Sequence, residues 1–161
     1  MTVRLNVLKT WFALGLIACL GLASSVQAMD SNGYDWRSAE VRVQGDLCDT
    51  ADHDFDGFRY QEHIPHCRRN VSHETKRAVA NQFGIFDNFQ NYEIDHYIPL
   101  SIGGSNSTDN LWPLPVPVAR AKCELEGRVH QEVVRGEISQ EQAIERVKEW
   151  KKFLETRLEN H

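Results

Sequence analysis

The sequence predicts a small α+β domain: a strand–loop–strand–helix unit embedded among further helices, with an N-terminal extension ahead of it. Three observations lead there. Residues 92 to 115 read YEIDHYIPLSIGGSNSTDNLWPLP, two short extended pieces either side of a Gly-Gly turn. Apolar residues recur at helical spacing after Pro117. Two further helix starts, at Ser72 and Ser139, flank the unit. A length of 161 residues and the absence of internal repeats fit one domain.

The first segment stands apart. Arg4 and Lys9 precede an apolar run, Trp11 to Leu22, that is short for a bilayer span, and Ser24-Ser25-Val26-Gln27-Ala28 has the small residues of a cleavage site. Residues 1–28 are expected to be a secretory signal peptide, making the protein periplasmic or secreted. A membrane anchor and a lipidated Cys19, in Leu16-Ile17-Ala18-Cys19, are the alternatives. The chain carries 18 basic and 23 acidic residues, net −5; without Arg4 and Lys9 the balance is 16 against 23, or −7. That charge opposes tight nucleic-acid binding, so any such contact must use a local basic patch and be sensitive to salt.

Residues 29–66 read as an N-terminal extension, with Val41 and Val43 suggesting a short strand. Of the three cysteines left after cleavage, Cys48 and Cys67 are expected to pair and Cys123 to remain free; a zinc site from Cys48, His63, His66 and Cys67 is the alternative. Asp52-His53-Asp54-Phe55-Asp56-Gly57 has the opening of a calcium loop, with oxygens at Asp52, Asp54 and Asp56. Position twelve is His63 rather than an acid, so an acidic surface turn competes with bound Ca²⁺. His66-Cys67-Arg68-Arg69 is the most basic cluster, suited to phosphate contact or to salt bridges with nearby acids.

Residues 67–161 read as the main domain. Ser72 caps a helix over 73–82 whose apolar face is Ala78, Val79 and Phe83, with Gly84 as its stop and Ile85, Phe86 and Phe89 packed below. Residues 93–98 form the first strand, which Pro99 ends, and Asn110-Leu111-Trp112 the second, which Pro113, Pro115 and Pro117 break. The next helix carries Val118, Ala121, Leu125, Val129 and Val133 and stops at Gly136. Ser139 and Gln142 form a capping box for the last helix, with stripe Ala143, Val147, Trp150, Leu154 and Leu158.

The chemistry sits at Asp95-His96. An imidazole takes a proton from water near neutral pH. A carboxylate holds a hard divalent cation. Together they supply a base and a metal for hydrolysis of a phosphodiester. Adjacent strand residues face opposite ways, so the strand end must distort for both to reach one site.

Asp95-His96, Ile98-Pro99-Leu100, Gly103-Gly104 and Asn110-Leu111 together resemble the HNH endonucleases, whose ββα-metal finger carries these groups at similar spacing. Arg69-Asn70-Val71, Gly84-Ile85, Lys122, Glu126 and Gly136-Glu137-Ile138-Ser139 resemble an exported subgroup, over roughly residues 67 to 153. The resemblance implies an HNH-type endonuclease domain with His96 as general base, Asp95 as metal ligand, Asn110 holding the loop and Glu93 as outer or auxiliary ligand. It places Lys122 and Arg69 against phosphate. The family's His or Asn on the helix has no counterpart between residues 111 and 129; Glu126, four after Lys122, is the expected replacement. Mg²⁺ is the expected ion, with Mn²⁺ or Zn²⁺ as substitutes. The expectation is a monomeric nuclease that cuts DNA before RNA with little sequence specificity, leaving a 5′-phosphate. A non-catalytic nucleic-acid-binding protein and a calcium-stabilised exported protein are the alternatives.

Overall fold

A computed structural model of the protein describes residues 33–150. The signal peptide, Cys19, Leu154 and Leu158 lie outside the described residues. No described helix is long and apolar enough to cross a membrane.

The described chain is α+β, with four helices and two small antiparallel sheets. In order these are α1 (Trp36–Ala39), β1 (Phe55–Arg59), β2 (Ile64–Cys67), α2 (His73–Gln82), β3 (Tyr92–His96), β4 (Leu111–Pro115), α3 (Val116–Val134) and α4 (Gln140–Lys148). The strand–loop–strand–helix order expected after Tyr92 is present as β3, β4 and α3. β3 pairs β4 from Tyr92 opposite Pro115 to His96 opposite Leu111, and α3 packs on both strands.

Pro113 and Pro115 do not break the second strand as expected. In a two-stranded sheet each strand has an outer edge, and a proline whose missing N–H faces outward loses no ladder bond. Tyr34 Oη donates to Pro113 O at 2.7 Å, so that edge is used by the extension.

The helix starts follow their caps. Ser72 accepts from Thr75 N at α2, and Ser139 and Gln142 form the capping box at α4. On α2 the buried residues are Val79 and Ala80, whereas Ala78 is exposed, and Phe86 stands in solvent rather than under the hairpin.

Residues 29–66 are not an appendage in their described part. Tyr34, Trp36, Ala39, Val43 and Ile64 join one core with Leu111, Trp112, Val129, Val147 and Trp150. Trp150 stacks against Trp36 at 4.8 Å and meets Trp112 edge-on at 5.8 Å, tying both ends of the described chain to the hairpin. The strand suggested by Val41 and Val43 is a 3₁₀ turn over Glu40–Arg42.

Cys48 and Cys67 are disulfide-bonded, and Cys123 is free and exposed. The bond excludes the zinc alternative, because oxidised sulfurs do not ligate as thiolates. Asp52 lies within ligand distance of Cys48 and Cys67, but the disulfide removes that trio too.

The calcium expectation fails on geometry. Asp52 accepts from Asp49 N, Asp54 accepts from Asn106 Nδ2, and Asp56 pairs with Arg59 and His66. The three carboxylates face three different partners and share no centre. Residues 55–67 instead form the β1–β2 hairpin, whose turn holds Tyr60 and His63 in the left-handed region.

Candidate active site

The β3–β4 loop is closed by Asn110, which is fully buried. Its Oδ1 accepts from Ile98 N at 2.8 Å, and its Nδ2 donates to Ile98 O at 3.0 Å and Ser105 O at 2.8 Å. Gly104 is required there, since a Cβ would sit 1.9 Å from Ile98 O. Asn110 thus holds the loop. It reaches His96 only indirectly, through Tyr97, whose N–H donates to Asn110 O at 2.8 Å.

Along β3, Tyr92, Ile94 and His96 turn to the buried face and Glu93 and Asp95 to the other. Asp95 and His96 nevertheless border one cleft of 340 Å³, with His66, Arg69 and Glu126. The strand end and the Pro99 turn bring both to it. Glu93 shares Asp95's face but lies about 7 Å back along the strand. It is exposed and does not border the cleft, so the outer-ligand role is not seen.

His96 is only 2% exposed. Its Nε2 lies 3.0 Å from Asn106 Oδ1, and its Nδ1 is buried without a hydrogen-bond partner among the described residues. Burial pushes the imidazole below its ordinary value; the Asn106 bond opposes this, the Arg69 charge adds to it and Asp95 opposes it. The ring is therefore neutral at pH 7, the form that accepts a proton.

Lys122 corrects the sequence reading. It is fully buried, and its ammonium donates to Asp95 Oδ2 and His96 O, each at 2.8 Å, and to Glu126 Oε1. All three N–H bonds are used inside the protein, so Lys122 does not meet phosphate. Burial alone would lower its pKa, but the Asp95 and Glu126 charges outweigh burial and raise it. One ammonium faces two carboxylates. Burial pushes Glu126 up, the Lys122 charge opposes this and Asp95 reinforces it.

Arg69 is exposed on the cleft rim and has no ion pair among the described residues. His66 is held by Asp56 through Nδ1 at 2.6 Å.

The side chains fit a divalent ion in a limited way. Lys122 occupies one oxygen of Asp95 and one of Glu126; the second oxygen of each accepts no hydrogen bond among the described residues. No three of the cleft's ligand atoms cluster within 4.8 Å. Such a set suits an ion that keeps most of its waters, as Mg²⁺ does, and not a closed zinc centre.

Comparison of the chain with family models, curated proteins and solved structures returned no match. Its chemistry is therefore read from this cleft. Sequence reasoning missed Asn106, which stood there only as one residue of a turn; no local pattern marks its contact with His96.

Proposed function

We propose that the protein is an exported, metal-dependent nuclease of the HNH type that hydrolyses phosphodiester bonds, in DNA before RNA. The observation that carries this is His96: an imidazole with one nitrogen bonded to Asn106 and the other buried without a partner among the described residues, bordering a cleft that also presents Arg69, Asp95 and Glu126. The succession β3, Gly-Gly loop, β4, α3 supports the resemblance to the ββα-metal finger. The disulfide agrees with export.

In this reading His96 takes a proton from the attacking water. Arg69 forks onto a phosphate oxygen of the substrate. Lys122 fixes the Asp95 and Glu126 carboxylates and leaves one oxygen of each for the ion. A bound divalent ion would supply charge stabilisation at the scissile phosphate. Low sequence specificity is expected, since the Arg69 contact is to phosphate and carries no base information.

Lys122 also carries the alternative reading, a non-catalytic nucleic-acid-binding protein, because an ammonium already satisfies half of each carboxylate. A fluorescent oligonucleotide separates the two readings. Cutting in Mg²⁺ that EDTA abolishes supports the enzyme; salt-sensitive binding with no cutting in Mg²⁺ or Mn²⁺ supports the alternative.

A further inference from the structure

We infer that Asn106 is a positioning residue for His96, holding the proton of the neutral ring on Nε2 and so leaving the lone pair on Nδ1. The effect on cleavage expected below rests on the nuclease reading; the tautomer does not.

The orientation of the Asn106 amide is set by the acceptors around it. One end lies 2.7 Å from Arg68 O and is also bonded to Asp54 Oδ2. A backbone carbonyl only accepts, so the end facing Arg68 is the NH₂. The other end is therefore the oxygen. It accepts from Asn70 N at 3.3 Å and lies 3.0 Å from His96 Nε2. An amide oxygen cannot donate, so Nε2 carries the hydrogen. A neutral imidazole has one N–H, which leaves the lone pair on Nδ1, the nitrogen without a partner among the described residues.

Both acceptors that orient Asn106 come from the part of the chain ahead of the strand–loop–strand unit. Asp54 is buried just before β1, and Arg68 follows β2; Arg68 N donates to Asp54 O at 2.9 Å. The Cys48–Cys67 disulfide closes this segment, and Cys48 N donates to Gly103 O at 2.9 Å, docking it on the Gly-Gly loop. The disulfide hairpin thus reaches the His96 ring through the Asn106 side chain, a role the sequence did not suggest.

The test is long-range ¹H–¹⁵N correlation NMR of the His96 ring at a pH where it is neutral, with single-turnover kinetics on an oligonucleotide. Wild-type protein is expected to show the hydrogen on Nε2. In Asn106→Leu the ring nitrogens should shift toward a mixture of tautomers, and kcat should fall about 10- to 100-fold with KM nearly unchanged. A wild-type ring protonated on Nδ1 overturns the assignment with no variant needed. So does a folded Asn106→Leu whose ring nitrogens and kcat match wild type. Wild-type protein that shows the Nε2–H tautomer but cuts nothing removes the nuclease reading and leaves the tautomer assignment standing.

Discussion

Replacing Lys122 by Met keeps the length and apolar stem of the side chain and removes the ammonium. Asp95 and Glu126 then face each other without the ammonium between them, and His96 O loses a donor. Removing one partner of a buried ion pair costs about 3–5 kcal/mol. The Lys122 side chain is 0% exposed, but Asp95 and Glu126 are 21% and 19% exposed, so each carboxylate recovers some hydration. The expected loss at pH 7 therefore lies near the low end, about 3 kcal/mol. The sign with pH follows from linkage. In the variant Glu126, already raised by burial, loses the Lys122 charge that opposes the rise, so stability is lost as pH rises through its folded value and regained as pH falls. Urea denaturation at pH 7 and pH 5 measures this: a large deficit at the higher pH, a smaller one at the lower. Mg²⁺ should also raise the variant's midpoint more than wild type's, since both carboxylates become free to bind it. A variant within about 0.5 kcal/mol of wild type at pH 7 would refute the claim that the ammonium is buried between two charges.

Three further outcomes are expected. Cys48→Ser with Cys67→Ser opens a loop of sequence separation 19 and should cost about 3 kcal/mol in urea unfolding, with reduction by dithiothreitol doing the same. Because burial holds His96 below 6.5, its stabilising contribution is present above that pH and lost as pH falls through the folded value; the acid limb of the cleavage rate should likewise lie below pH 6.5, and His96→Gln should flatten the pH dependence of stability. An acid limb above 6.5 would contradict the depressed pKa. Arg69→Ala should weaken substrate binding and reduce the salt slope of log K by about 1 while leaving the fold intact; an unchanged slope would remove Arg69 from the phosphate contacts.

Elements marked by local chemistry were legible in the sequence. Ser72 and Ser139 announce their helices because a cap needs only residues a few positions apart. Asp95-His96 with its Gly-Gly turn located the cleft for the same reason. What was not legible depends on distant partners. Lys122 reads as a phosphate contact until Asp95, 27 residues away, is brought beside it. Asn106 reads as a turn residue until Asp54 and Arg68 surround its amide. The β1–β2 hairpin hid behind an Asp-rich stretch whose spacing imitates a calcium loop, and it turns through Tyr60 and His63 rather than the usual Gly or Asn. Pro113 and Pro115 concealed a strand because a breaker in a central strand is harmless on an outer edge.

The role of His96 as base is tested by the rate at which purified His96→Ala nicks supercoiled plasmid in Mg²⁺, set against wild type in the same buffer. It requires a wild type that nicks and a folded variant slower by about 100- to 10,000-fold. A variant that nicks as fast as wild type, or a wild type that leaves the plasmid intact, contradicts it.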